Sequence, residues 1–208
     1  MFAPGAARWI GPFAAVAAVL AGLIGLGAWP AGPAELGALA GFLAGAAFLA
    51  WFYRDPARTP GPGIVSAADG RVRAVERDGD RLRISVFMNV TDVHVNRLPL
   101  DGTVESIEAA GRGFRAAFRP SADRNVRRHY HLATALGPVE IVQITGVVAR
   151  RIVPFVSPGA RLQRGDRFGM IVLGSRVDVI LPADRVRPTV AVGDRVRAGV
   201  TTVAEETR

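Results

Sequence analysis

Residues 9–34 contain no charged side chain, Glu35 follows, and residues 36–53 are again uncharged. No other feature restricts the fold of this chain so tightly. Each stretch is close to the roughly 20 apolar residues that cross a bilayer as a helix, and in lipid a helix satisfies every backbone hydrogen bond internally. Pro30, Gly32 and Pro33 interrupt the pattern between the stretches, which predicts a helical hairpin. Trp9, Trp29, Trp51 and Tyr53 fall near the ends of the two spans, where amphipathic rings favour the membrane interface. Arg8 precedes the pair, Arg54 and Arg58 follow it, and the connector holds only Glu35. The positive-inside bias then places both ends of the hairpin, and everything after it, on the cytoplasmic side. Two rivals stay open. The spans are rich in Ala and Gly, so a shallow interfacial hairpin competes with full spanning. A cleaved signal peptide is the other rival, against which stand the sparse basic character before the first span and the presence of a second.

Outside this segment the chain is basic. Arg8 and Glu35 cancel, so the whole net charge of +8 lies in residues 54–208. A basic domain beside a bilayer suits anionic lipid headgroups. Nucleic acid is the other usual partner of a basic protein, but there is no run of five basic residues, no helix-turn-helix pattern and little aromatic surface for stacking, so none is expected. All 26 basic residues are arginine, and there is neither lysine nor cysteine. That excludes disulfides, thiolate nucleophiles, cysteine metal sites, lysine Schiff bases, the usual pyridoxal phosphate linkage, lysine-borne biotin or lipoyl groups and a Walker A lysine.

After Arg54 the segments are short, rich in Val, Ile and Arg, and separated by Gly, Pro and Asp. Residues 71–75, 81–88, 139–144, 147–153 and 177–181 read as strands; Arg81-Leu82-Arg83-Ile84-Ser85-Val86 alternates as a strand with one wet face does. One repeat stands out. Val156-x-x-Gly159-x-x-Leu162-x-x-Gly165 recurs 34 residues later as Val190-x-x-Gly193-x-x-Val196-x-x-Gly199. Its spacing resembles biotinyl and lipoyl carrier domains, although Gly-Asp turns also recur in unrelated β proteins. The expectation is a mainly β chain: a membrane hairpin over residues 1–58, then a barrel-sandwich-hybrid-like β domain over residues 59–208 with little helix after residue 60.

Candidate chemistry is sparse. His129 and His131 could share a strand face, but no third metal ligand is evident and no metal site is expected. Asp92, His94 and Asn96 alternate, so they would share a face if that segment is extended, and a carboxylate would then orient the histidine for acid–base work. Alternatively His94 is only a structural hydrogen-bonder. Gly174-Ser175 lies between two apolar strands. It is either a tight turn or a serine poised to attack the unshielded carbonyl before it.

Four segments carry a resemblance: residues 66–72 (SAADGRV), 87–99 (FMNVTDVHVNRLP), 143–153 (QITGVVARRIV) and 169–182 (GMIVLGSRVDVILP). With the apolar N-terminal pair, they resemble the phosphatidylserine decarboxylase proenzymes in their short, membrane-anchored bacterial form. The resemblance implies self-cleavage between Gly174 and Ser175. Ser175 would pass through an ester and a dehydroalanine to become a covalent pyruvoyl group on fragment 175–208, which stays bound to fragment 1–174. The pyruvoyl ketone would take the amine of phosphatidylserine as a Schiff base, CO₂ would leave, and phosphatidylethanolamine would be released at the cytoplasmic face of the bacterial membrane. His94 matches the family's acid–base histidine and Asp69 an aspartate of the self-cleavage relay. Longer members carry a second histidine, assigned as the base that activates the serine, where this chain has Arg97, and an arginine cannot accept a proton near pH 7. The base is then His94, the favoured choice, or Asp69, Asp92 or water. Ser66-Ala67-Ala68-Asp69-Gly70 also departs from the family's usual Ser-Pro-Ala-Asp-Gly, and His129 and His131 match no family motif.

The composition agrees independently. Decarboxylating an amino acid needs a carbonyl electron sink, and a chain without lysine can still make a ketone from its own serine. Two alternatives remain open: a membrane-tethered, non-enzymatic barrel-sandwich binding module, which would stay a single intact chain, and a decarboxylase acting on a serine headgroup carried by a different lipid. Whether the chain forms a homo-oligomer is not legible in the sequence.

Overall fold

A computed structural model of the chain describes residues 1–115, 117, 124–147, 151–172 and 175–207. It divides into two compact units, Met1–Pro56 and Ala57–Arg208.

The first unit is a helical hairpin of α1 (Ala7–Gly25) and α2 (Pro33–Phe52). Pro33 opens α2 at a position where its missing N–H costs nothing, and Glu35 sits in the first turn against the positive end of the helix dipole. At 1.5 Å per residue each helix is about 30 Å long, the thickness of a bilayer's hydrocarbon core. The helices run antiparallel. Trp9 stacks with Tyr53, centroids 6.4 Å apart, at one end, and Phe13 meets Phe42 at 6.0 Å further along. Gly45 makes room for Phe13, since a Cβ there would lie 2.7 Å from the ring. Phe13, Val16, Val19, Leu43 and Phe48 are exposed in the unit, an apolar exterior that suits lipid. Arg8 and Arg54 lie at the same end, each over a tryptophan ring.

The second unit is built from β1 (Ile64–Val65), β2 (Gly70–Asp78), β3 (Arg81–Met88), β4 (Val95–Arg97), β5 (Gly102–Ala110), β6 (Arg127–Thr134), β7 (Gly137–Thr145), β8 (Arg151–Pro154), β9 (Arg161–Leu162), β10 (Arg167–Val172), β11 (Ser175–Pro182), β12 (Val186–Pro188), β13 (Arg195–Val196) and β14 (Thr202–Glu206). An eight-stranded antiparallel sheet has the order β13-β2-β3-β11-β7-β6-β5-β9, and the small sheets β4-β10-β8 and β1-β14-β12 accompany it. The fold is mainly β with a curled sheet, as the alternation predicts. Of the expected strand over residues 147–153, residues 148–150 lie outside the described ones, and β8 begins at Arg151.

The alternation decides which face is dry. Leu82, Ile84, Val86 and Met88 of β3 align with Leu181, Val179, Val177 and Ser175 of β11, and all of these are buried. Tyr130 of β6 meets Phe168 of β10 edge-on at 5.0 Å, joining the large sheet to the β4-β10-β8 sheet. The repeat has a structural meaning. Each copy is a two-residue strand between two positive-φ glycines, β9 between Gly159 and Gly165, β13 between Gly193 and Gly199. The copies occupy the two opposite edges of the large sheet. Arg97 reaches between their ends. Its Nη1 donates to the Gly165 carbonyl at 3.0 Å, and a Cβ on Gly199 would lie 3.0 Å from its Cδ.

Candidate active site

Ser175 is the first residue of β11, a central strand, with Met88 of β3 on one side and Thr145 of β7 on the other. It is fully buried, and its hydroxyl has no hydrogen-bond partner among the described residues. Thr145, on the same face, spends its own hydroxyl on the Val126 carbonyl at 2.8 Å. A buried hydroxyl without a partner costs about 1–3 kcal/mol, a penalty that packing alone does not explain. Gly174, the other half of the expected scissile step, lies outside the described residues.

His94 is also buried. Its backbone carbonyl accepts from Ile171 N, at 3.4 Å, which sets the residue beside the end of β10 on the chain's approach to Ser175. The ring Nδ1 lies 2.9 Å from the Asp92 carbonyl oxygen. A carbonyl can only accept, so Nδ1 carries the proton, and Nε2 of the neutral ring presents a lone pair. The shared strand face expected for Asp92, His94 and Asn96 does not form, because β4 begins only at Val95. Asp92 instead closes a turn: its carboxylate accepts from Asn89 N at 2.8 Å, and its own N–H donates to the Asn89 carbonyl at 2.9 Å. The histidine is therefore oriented by the Asp92 backbone, and the carboxylate faces Arg195 at 3.5 Å.

Beneath Met88 runs a chain of buried polar groups. The Tyr130 hydroxyl donates to Gln143 Oε1 at 2.7 Å, Gln143 Nε2 donates to Asn96 Oδ1 at 2.7 Å, and Asn96 Nδ2 donates to Met88 Sδ at 3.5 Å. Burial pushes the Tyr130 phenol well above its usual range, so it stays a donor. This chain ties β4, β6 and β7 to the cross-strand neighbour of Ser175. Sequence reasoning assigned no part to Gln143 or Tyr130, although Gln143 opens one of the four matching segments.

Asp69 sits just before β2, with Gly70 packed so closely that a Cβ there would lie 2.0 Å from the Phe87 carbonyl. Its carboxylate is gripped by Arg58 at 2.5 and 2.8 Å and accepts from Ala198 N at 2.8 Å. Arg58, read from the sequence only as a charge flanking the hairpin, is a member of the β unit and the partner of Asp69. Arg97, at the position of the second family histidine, pairs in register with Arg167 at the far end of β10 from Ile171.

Behind Ser175, on the other face of the sheet, Arg176 holds Asp178 at 2.9 and 3.0 Å. Burial pushes the Asp178 carboxyl up, while Arg176, Ser85 and Arg83 pull it back. His129 Nδ1 lies 2.6 Å from Glu140 Oε1, and Arg127 Nε donates to His129 Nε2 at 3.1 Å. His131 faces Glu108 at 3.9 Å. Among the described residues no three His, Cys, Asp or Glu side chains gather as a metal site.

The model of the phosphatidylserine decarboxylase family matches residues 46–204. A Streptomyces griseus phosphatidylserine decarboxylase proenzyme is 43% identical over 97% of this chain and 92% of its own length. One from Thermobifida fusca is 48% identical over 75% of this chain and 72% of its own. A Halobacterium salinarum protein, named provisionally as an archaetidylserine decarboxylase proenzyme, is 47% identical over 76% of this chain and 81% of its own.

Proposed function

The chain belongs to the phosphatidylserine decarboxylase family, and on that premise we propose that it is a self-processing, pyruvoyl-dependent enzyme that converts phosphatidylserine to phosphatidylethanolamine and CO₂. It is anchored by residues 1–58 and acts through residues 59–208 at the cytoplasmic face of the bacterial membrane. The observation that carries this reading is the buried hydroxyl of Ser175 at the start of a central strand, without a hydrogen-bond partner among the described residues.

Maturation follows from the chain's own groups. His94 Nε2 takes the Ser175 proton. Oγ bonds to the Gly174 carbonyl carbon, and the bond from that carbon to the Ser175 nitrogen breaks as the nitrogen takes that proton back from His94 and becomes a free amine, converting peptide to ester. Loss of the Ser175 α-proton then expels the Gly174 carboxylate. Water hydrolyses the resulting enamine, releases ammonia and leaves a ketone at residue 175. Asp69 and Asp92 act as positioning residues. Asp69 locks residues 66–70 to Arg58 and Ala198, and the Asp92 carbonyl fixes the His94 tautomer. Arg97, bonded to the Gly165 carbonyl, serves the fold.

An unpaired hydroxyl fits a group consumed in making a ketone. That ketone supplies the carbonyl that accepts a substrate amine and draws in the electrons released as CO₂ departs. Around it, Met88 and Thr145 exclude water, and His94 holds a proton at Nε2 for return to the product carbon. The two fragments stay together because residues 175–208 supply β11 between β3 and β7 and β14 between β1 and β12.

Intact mass spectrometry tests the reading. The wild type should give fragments 1–174 and 175–208, the smaller with a blocked N-terminus, and should release CO₂ from phosphatidylserine vesicles. Ser175→Ala should remain one inactive chain, and Ser175→Cys should cleave slowly. A wild type that stays uncut after full expression would refute it, and would favour a non-enzymatic module. His94→Ala should remain uncut; normal cleavage without decarboxylation would assign maturation to another base. The name of the Halobacterium relative favours a second reading, in which the serine headgroup sits on a different lipid backbone. Rates on defined lipids separate the two.

A further inference from the structure

A cavity of about 320 Å³ is lined by Gly70, Arg71, Arg73, Phe87, Asp92 and Arg195, together with Asn89 and Thr91. Its lining touches the neighbours of both groups assigned to the chemistry. Phe87 and Arg71 share the sheet face of Arg176, opposite the Ser175 side chain, but Gly70 packs against the backbone of Met88, the cross-strand partner of Ser175, and Asp92 gives its carbonyl to His94.

Its charge is unbalanced. Arg71 and Arg195 are direct cross-strand partners in the β2–β13 pair. Like charges placed opposite one another weaken a sheet. Arg73, two residues along β2, adds a third guanidinium to the same cavity. Asp92 is the sole carboxylate among the lining residues. All three arginines are exposed, and each makes one contact. Arg71 Nη1 donates to the Gly193 carbonyl at 3.0 Å, Arg73 lies over the Phe87 ring at 5.4 Å, and Arg195 faces Asp92 at 3.5 Å. The partners of Arg71 and Arg73 are uncharged, so anchoring does not neutralise them, and a guanidinium has five donors to offer. Three guanidinium forks around an open cavity, two of them without a charged partner among the described residues, match the chemistry by which arginine takes phosphate oxygens.

We propose that Arg71, Arg73 and Arg195 form the subsite for the phosphodiester of the lipid headgroup. This rests on the decarboxylase reading and deepens it. In a serine headgroup a single CH₂–O unit separates the phosphorus from the carbon that bears the amine and carboxylate. A phosphodiester seated on these arginines sets the reacting carbon at the strand end marked by Gly70 and Met88, from which it reaches Ser175 and His94 around the sheet edge, and it relieves the Arg71–Arg195 repulsion as it binds.

The test uses the full-length protein and the double variant R73Q/R195Q. Self-cleavage, read by intact mass, should be unchanged. KM for soluble glycerophosphoserine should rise about tenfold or more with kcat within about twofold, as expected when binding energy common to ground and transition states is removed. R73K/R195K should recover part of the loss. The soluble substrate has no acyl chains, so an effect confined to phosphatidylserine vesicles would overturn the proposal and leave these arginines as membrane-attracting charges. An unchanged KM on both substrates would overturn it too. Binding to the uncut Ser175→Ala chain, followed by calorimetry, separates the subsite from the chemistry. Glycerophosphoserine should bind, and R73Q/R195Q should abolish that binding even if the parent chain proves inactive. Binding of inorganic phosphate without glycerophosphoserine would overturn the assignment in favour of a free phosphate site.

Discussion

Gln143 uses both ends of a fully buried amide, accepting from Tyr130 and donating to Asn96. Gln143→Leu keeps the approximate volume but strands a phenol and an amide oxygen. The expected cost is about 2–4 kcal/mol, measured by denaturant unfolding of the uncut Ser175→Ala background. Cleavage in the otherwise wild-type chain should slow as well, since Asn96 would lose the partner that holds it under Met88. Gly70 is constrained differently. Its φ of +143° and the approach of the Phe87 carbonyl leave no room for a side chain. Gly70→Ala should destabilise by about 2–4 kcal/mol and disturb the pocket rim at the same time.

At the scale of elements, the polar face of the large sheet is a ladder of charges across β2, β3, β7 and β6. Arg81 bonds Glu140 at 3.0 Å, Glu140 bonds His129, and Arg83 pairs with Glu76. Burial raises the Glu140 pKa, but the His129 hydrogen bond together with the charges of His129, Arg81 and His131 outweighs it, and the net shift is downward. A carboxyl with a depressed folded-state pKa contributes stability above its unfolded value and loses it as pH falls through the folded one. Glu140→Gln should therefore cost about 1 kcal/mol at neutral pH. Thermal melts of variant and wild type should converge below about pH 4, near the ordinary carboxylate range.

At the scale of the molecule, the second fragment is woven into all but the β4-β10-β8 sheet, because β11 and β13 belong to the large sheet and β12 and β14 to another. The cleaved protein should elute as one species on gel filtration and separate into its fragments only in denaturant. The hairpin is tested through the absence of cysteine. Single substitutions Ala31→Cys and Arg54→Cys, probed in sealed vesicles with an impermeant thiol reagent, should label from opposite sides. Labelling of both from one side would mean that the hairpin lies in the interface. A chain beginning at Ala57 should still self-cleave but no longer sediment with vesicles, since Met1–Pro56 is a compact unit of its own.

The uncharged stretches, the strand alternation and the Gly-Ser step were legible because each rests on local chemistry: hydropathy over about 20 residues, a period of two, a carbonyl without a shielding side chain. The repeat was legible as a pattern, but that its copies lie at opposite sheet edges with Arg97 between them depends on strand order, which no local signal encodes. The same holds within the site. Alternation suggested that the Asp92 carboxylate orients His94, yet a turn closed by Asn89 leaves that task to the Asp92 carbonyl and sends the carboxylate to Arg195. Arg58 found Asp69, 11 residues further on, and Tyr130, Gln143 and Asn96 found one another across strands that pairing brings together, Asn96 and Gln143 being 47 residues apart. The sequence by itself determined which stretches are apolar, which strand positions are dry, which residues are charged and which serine follows a glycine between two apolar strands. Only the tertiary structure decided which charges face each other, because burial obliges every polar group to find a partner and strand pairing selects which partners are in reach.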